Sequence, residues 1–219
     1  TTDDDGVGKE LCKDDRIRKL SFTGSTRVGK LLMEQCASNV KKLSLELGGN
    51  APFIVFDDAN VENALKGAMI SKYRNSGQTC VCTNRFLVQE GIYDVFVDKL
   101  TSATKNLKVG NGLDKEVNVG PLINRKSLDK VEAMMEDAVS KGGKILTGGK
   151  PLKELFYEPT VITNVDSSML LANEEIFGPV SSIIKFKTEE EAIHLANHTV
   201  YGLAAYFYSD NVARCWRVA

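Results

Sequence analysis

The sequence predicts an α/β protein built from parallel-sheet units, and three observations carry that reading. Short β-branched and aromatic runs alternate with segments of helical period along most of the chain. Glycine pairs and capping residues separate the two kinds of run. No internal repeat or low-complexity stretch interrupts the alternation, so strand and helix follow one another as a parallel sheet with crossover helices requires.

The elements follow in order. KLSF at 19–22 reads as a strand, and 25–38 as a helix with apolar residues at 28, 31, 32 and 36. KKLSLEL at 41–47 is a second strand, stopped by Gly48-Gly49. PFIVF at 52–56 is a third, after which Asp58 or Asn60 caps a helix running to about Arg74. RFLVQ at 85–89 precedes a helix over 93–107, and an amphipathic helix over 126–142 stops at Gly142-Gly143. VSSIIKF at 180–186 leads into Thr188-Glu-Glu-Glu191, a capping box that opens a helix through 197. LAAYFYS at 203–209 reads as a buried strand. The last ten residues read as a helix capped by Asp210 or Asn211 without a stop signal, so the chain is expected to be part of a longer polypeptide. The glycine pair marks the expected domain boundary, with 1–47 the tail of one α/β unit and 48–219 a second.

Composition narrows the function classes. The 219 residues are 42% hydrophobic and 26% charged, enough apolar material for a sizeable core. A formal net charge of -1 gives no electrostatic case for nucleic acid or an anionic membrane as partner, and the charges are interspersed apart from Asp3-Asp4-Asp5. No apolar run is long enough to span a bilayer. Five cysteines and two histidines show no zinc-site spacing; Cys12, Cys36 and Cys215 read as packing or surface thiols in a reducing compartment. His194 and His198 fall in or near a surface helix, which leaves a thiol hydrolase without its histidine.

Gly24-Ser-Thr-Arg-Val-Gly29-Lys30 fits the core of a nucleotide-hydrolase phosphate loop, and FIVFDD, with Asp57 and Asp58, looks like its magnesium strand. The position after the lysine must then carry a hydroxyl for the metal, and it is Leu31, on the expected apolar face of the helix. What survives is a strand-turn-helix whose free backbone N–H groups and positive dipole end suit a dinucleotide pyrophosphate without magnesium. A capped helix after a strand also needs no ligand at all.

Three more stretches carry chemistry. In LELGG, Glu46 is either an edge-strand glutamate reaching solvent or a general base whose apolar setting raises its pKa. In RNSGQTCVCTNR, Cys80 sits among small polar residues, in a turn that suits an accessible nucleophilic thiol better than a packing cysteine. NEEIFGPV places two carboxylates before an aromatic residue and a Gly-Pro turn, or is simply a charged loop.

In this order, FTGS, LELGG, GQ-x-C and E-E-x-FGP resemble the aldehyde dehydrogenase superfamily over almost the whole chain. The resemblance implies that fold: mostly its catalytic domain, with the tail of its dinucleotide-binding domain. It implies Cys80 as the nucleophile that forms a thiohemiacetal, with its backbone N–H as half of an oxyanion hole. A hydride then passes to the nicotinamide, and Glu46 activates the water that hydrolyses the thioester. Gly24, Ser25 and Leu47 would meet NAD or NADP, Glu175 would hold the nicotinamide ribose and Phe177 would pack beside the ring. Lys30 has no such role and reads as solvated. Because the superfamily departs from the usual glycine fingerprint, the absence of that fingerprint is not evidence against a cofactor.

Arg74 stands six residues before Cys80. It reads either as a helix-end arginine facing water or as a clamp for a substrate carboxylate. Together with LELGGNAPFIVFDDA, the segment resembles succinate-semialdehyde dehydrogenases, in which that arginine grips the substrate carboxylate; glutarate semialdehyde, one methylene longer, is the nearest alternative. The same resemblance suggests a Cys80–Cys82 disulfide as a redox switch, an idea that peroxide-insensitive activity would remove. It further implies a homo-oligomer, tetramer or dimer, acting on a small aldehyde, in the mitochondrial matrix or the cytoplasm. The 219 residues alone are expected to be inactive, as a truncated product would be, because the family's N-terminal half contributes part of the site.

Overall fold

The computed structural model describes residues 4–219; of the acidic cluster at 3–5, Asp3 lies outside them. The chain divides into two compact units after Gly48.

The smaller unit contains α1 (Asp4–Lys13), β1 (Lys19–Thr23), α2 (Thr26–Cys36) and β2 (Lys42–Glu46). β1 and β2 pair in parallel, from Lys19 opposite Lys42 to Thr23 opposite Glu46. Their burial alternates residue by residue, because successive side chains leave opposite faces of a strand. Leu20, Phe22 and Leu43 meet Cys12, Leu32 and Cys36 in a small core. α1 was not anticipated. Leu31, expected on the apolar face of α2, is 41% exposed, and the buried positions are Gly29, Leu32 and Cys36.

The larger unit is a six-stranded sheet in the order β5-β6-β7-β4-β3-β8. Its strands are β3 (Ala51–Val55), β4 (Thr83–Gln89), β5 (Lys144–Thr147), β6 (Thr160–Thr163), β7 (Val180–Phe186) and β8 (Tyr206–Tyr208). All neighbours are parallel except β5, which runs antiparallel to β6 at one edge. The helices are α3 (Val61–Tyr73), α4 (Tyr93–Lys105), α5 (Arg125–Ser140), α6 (Leu170–Asn173), α7 (Glu189–Asn197) and α8 (Val212–Val218).

Period-two alternation assigns the core to two faces. Phe53, Val55, Phe86, Val88 and Ile183 pack with residues of α3 and α4. Ile54, Phe56, Leu87 and Ile184 face the other way, against residues of α5, α6 and α7. Each phenylalanine so buried stabilises the fold by about 1.5–3 kcal/mol. The strand expected over 203–209 is shorter than the sequence suggested: only Tyr206–Tyr208 pair, half-buried, at the sheet edge.

Side-chain caps fix the helix starts. Asn60 accepts from the N–H of Asn63, Asn124 from Ser127, Thr188 from Glu191 and Asn211 from Arg214.

Candidate active site

α3 delivers the candidate nucleophile. Ala64, Ala68 and Lys72 form a buried stripe at i, i+4 and i+8, and the small residues let the helix lie close to the sheet. Past Tyr73 the chain makes a tight turn over Arg74–Gly77, with Asn75 (φ 48°), Ser76 (φ 58°) and Gly77 (φ 76°) all left-handed. Two non-glycine residues in that region cost on the order of 1–3 kcal/mol each and persist only where their surroundings hold them. Here Ser76 Oγ donates to the Gly120 carbonyl at 3.0 Å and Asn75 Nδ2 to the Gln78 carbonyl at 3.0 Å. Gln78 is clamped at both ends: its Oε1 accepts from Ile123 N–H at 2.9 Å and its Nε2 donates to Pro121 at 3.1 Å. At Gly77 any Cβ would lie 2.2 Å from the Gly178 carbonyl oxygen.

The next turn carries Cys80. It is closed by the Cys82 N–H donating to the Thr79 carbonyl at 3.0 Å, and Tyr206 pins its middle by donating its hydroxyl to Val81 at 2.7 Å. Cys80 is half-buried, and among the described residues neither its thiol nor its backbone N–H has a hydrogen-bond partner. Cys82 is buried with its sulfur 2.8 Å from Thr79 Oγ1 and 3.9 Å from the Arg74 carbonyl, and both thiols are free. The guanidinium of Arg74 is exposed and makes no ion pair among the described residues.

Gly49 joins this turn to the acidic loop. A Cβ on Gly49 would lie 2.3 Å from the Cys80 carbonyl oxygen, so only glycine allows the approach. Its N–H donates to Glu175 Oε1 at 3.0 Å. Glu175 is half-buried, and that burial raises its pKa against the opposing pull of the Gly49 N–H and Lys130. Two buried asparagines fix the loop it stands on. Asn84 donates to Asn50 Oδ1 at 2.7 Å and to the Glu174 carbonyl at 2.9 Å, and it accepts from Ile176 N–H at 2.8 Å. Asn50 donates to the Ala172 carbonyl at 3.1 Å. Phe177, half-buried, holds a left-handed φ of 57°, an outlier for an aromatic residue.

The smaller unit groups the other candidates. Ser25 caps α2 by accepting from Val28 N–H at 3.3 Å, and Gly24 N–H donates to the Glu46 carbonyl at 3.0 Å. No acidic residue occupies the first turn of α2, so its positive end is not neutralised by its own helix. Leu47 packs on Gly29, where a Cβ would lie 2.6 Å from its Cδ2. Lys30 is exposed, as expected. Glu46 ends β2 exposed, so the apolar setting anticipated for it is not found in this chain: strand alternation turns it to the open side.

The structure therefore brings Gly49, Cys80 and Glu175 together in the larger unit, with Phe177 on the Glu175 loop and Arg74 on the connection leading to Cys80. It groups Gly24, Ser25, Glu46 and Leu47 in the smaller one. Gln78, Tyr206, Asn50 and Asn84 were missed as positioning residues. Asn84, an asparagine inside a strand, where that residue type is disfavoured, was the one legible signal.

A free thiol on a strained turn beyond a helix, a glutamate fastened to a glycine N–H and a capped helix start without an acidic residue belong together in one class. The chain belongs to the aldehyde dehydrogenase family, whose model matches residues 1–219. Among curated relatives, it is 54% identical over 213 residues to the glutarate-semialdehyde dehydrogenase of Pseudomonas putida, covering 97% of this chain and 44% of the relative. It is 56% identical over 216 residues to the mitochondrial succinate-semialdehyde dehydrogenase of Homo sapiens, covering 97% and 40% respectively. The crystal structure of succinate-semialdehyde dehydrogenase from Burkholderia pseudomallei superposes with a TM-score of 0.97 at 55% identity, covering 99% of this chain and 45% of that one. The chain thus spans less than half the length of the relatives it matches.

Proposed function

We propose that the polypeptide containing this chain oxidises a small aldehyde bearing a distal carboxylate, succinate or glutarate semialdehyde, to the corresponding acid. The observation that carries the reading is Cys80: a half-exposed thiol with an unpartnered backbone N–H, on a turn fixed from both sides, six residues beyond an unpaired arginine.

Cys80 Sγ attacks the aldehyde carbon, and the developing alkoxide is stabilised by the Cys80 N–H, which has no competing acceptor within the described chain. Arg74 holds the far carboxylate in a charge-assisted pair, orienting the carbonyl toward the thiol. NAD or NADP, when bound, supplies the acceptor of the hydride. The residues present fit such a cofactor: the α2 start offers backbone donors without an acidic competitor, and Glu175 has one carboxylate oxygen uncommitted after binding Gly49. Gly24, Ser25 and Leu47 would hold its phosphate side, Glu175 its ribose and Phe177 its ring. Glu46, whose exposed carboxylate has no hydrogen-bond partner among the described residues, takes the proton from the water that cleaves the Cys80 thioester.

Relatives named for both semialdehydes stand at nearly the same identity. A single methylene discriminates by only about 1–3 kcal/mol in an apolar slot, so activity on both chain lengths is expected. The human relative is a mitochondrial succinate-semialdehyde dehydrogenase, which supports a mitochondrial setting for the longer polypeptide.

The test compares kcat/KM for succinate semialdehyde, glutarate semialdehyde and uncharged butyraldehyde, with NAD and with NADP, in a protein of the relatives' length. Cys80→Ala is expected to lose turnover. Losing the charge-assisted contact in Arg74→Ala costs about 1.5–3 kcal/mol, roughly 10- to 150-fold in kcat/KM for the charged substrates alone. Equal rates on all three aldehydes would reject the carboxylate clamp, and turnover by Cys80→Ala would reject the nucleophile.

A further inference from the structure

Tyr206 stands on the edge strand β8, opposite Phe53 of β3, with its ring 6.0 Å from the Phe53 ring. From there its hydroxyl donates to the Val81 carbonyl at 2.7 Å, across 125 residues of sequence. A peptide unit is planar and rigid, so the carbonyl of Val81 and the N–H of Cys82 turn together. That N–H donates in turn to the Thr79 carbonyl at 3.0 Å. The Thr79 carbonyl shares its plane with the N–H of Cys80, the donor that has no partner among the described residues. Two peptide planes and two hydrogen bonds thus join the Tyr206 hydroxyl to the Cys80 N–H.

The linkage is braced from both ends. Thr79 Oγ1 and Cys82 Sγ lie 2.8 Å apart, so these two residues are joined by side chains as well as by backbone. Gln78, just before them, is fixed to Pro121 and Ile123, and Tyr206 supplies the corresponding hold from the sheet edge. Burial first, then the Cys82 thiol, raises the pKa of the Tyr206 phenol against the opposing pull of Arg74, so the hydroxyl stays a donor at neutral pH. A carbonyl that accepts a hydrogen bond polarises its peptide and strengthens the N–H at the other end, by about 10–30% per bond.

We propose that Tyr206 is a positioning residue for the oxyanion: through the Val81–Cys82 and Thr79–Cys80 peptides it aims and polarises the Cys80 N–H toward the alkoxide that forms when the thiol attacks. The proposal rests on the thiol reading above and adds to it a residue that acts only through the backbone of the turn.

Tyr206→Phe, which keeps the ring and removes the hydroxyl, tests it in a polypeptide of the relatives' length. Two reactions of Cys80 separate the aim of the N–H from access to the sulfur. Acylation by p-nitrophenyl acetate forms the sulfur–carbon bond and expels nitrophenolate through a tetrahedral oxyanion, whereas alkylation by iodoacetamide displaces iodide and develops none. In Tyr206→Phe the acylation burst is expected to slow roughly three- to tenfold, less than the loss of about 10²–10³ that follows removal of an oxyanion donor outright. kcat/KM should fall by a similar factor for succinate semialdehyde and for butyraldehyde, since the donor serves the carbonyl and not the carboxylate. Alkylation should be unchanged. All of these rates should be unchanged in Tyr208→Phe, which removes a hydroxyl of the same strand that has no hydrogen bond among the described residues. Unchanged acylation, a loss confined to the charged aldehyde, or acylation and alkylation falling together would overturn the proposal. Turnover by Cys80→Ala would instead reject the thiol reading beneath it. A melting temperature for each variant separates a misdirected N–H from lost folding.

Discussion

Gly49 leaves no room for a side chain in the candidate site, since it meets the Cys80 carbonyl with its α-carbon and Glu175 with its N–H. Gly49→Ala forces the two backbones apart, and overpacking of this kind costs about 1–3 kcal/mol. The variant is expected to melt lower and to alkylate Cys80 with iodoacetamide at an altered rate; an unchanged melting point and an unchanged rate would show that the approach is not tight. Cys80 itself was legible because a cysteine among Gly, Gln and Thr has no apolar face to join. The residues that hold it were not, since Gln78 reaches Pro121 and Ile123, and Tyr206 reaches back to Val81, across separations that no local pattern encodes. Leu31 was misread because an apolar neighbourhood in sequence says little about which side of a helix is covered, and of the settings open for Glu46 strand alternation gives the one that reaches solvent.

α3 and β4 form the mechanical frame of the thiol turn. Lys72 ends the buried stripe of α3, 1% exposed, with its Nζ donating to the Thr83 carbonyl at 3.0 Å where β4 begins. Tyr73 next to it reaches Thr104 and Ser181 at 3.0 and 2.9 Å. Burial lowers the Lys72 pKa to about 8 from the usual 10.5. The unfolded chain therefore binds that proton more tightly than the folded one. The cost is fully present below pH 8 and is relieved as pH rises from 8 to 10.5. Its size, on the order of 3 kcal/mol, follows from about 1.4 kcal/mol per pKa unit. The stability difference between wild type and Lys72→Met, measured by urea unfolding, should move toward wild type from pH 7.5 to pH 10; a difference constant with pH would remove this account. The long elements were readable because their period is sustained and their caps are ordinary. β5 and β6 were not, being four residues each, too short to display a period, and the antiparallel direction of β5 depends on the loop that returns it.

At the scale of the larger unit, one ionic hub fastens α8 to the rest. Glu189, at the start of α7, accepts from Arg214 at 3.0 Å and from Arg217 at 2.6 Å, while Arg214 also pairs with Asp58 beyond β3 and stacks on Phe56. Arg217 first, then Arg214, hold the Glu189 pKa at about 2, below its usual 4.5. A depressed carboxylate pKa gives stability that is present above 4.5 and lost as pH falls toward 2. Fluorescence anisotropy of Trp216, the chain's single tryptophan, should therefore drop over that window as α8 comes loose, and Glu189→Gln should show the lower value already at pH 7. An acid titration identical in both proteins would count against the hub. The parallel α/β class was legible from alternation alone, whereas the strand order was not, because it is set by contacts between distant residues. That order has a consequence during synthesis. β3 takes β8 as its outer neighbour, roughly 150 residues further along the chain. A ribosome adding about 5–20 residues per second leaves that side of β3 without its partner for about 8–30 s. Chaperone demand should therefore be concentrated in the nascent chain rather than in the finished protein.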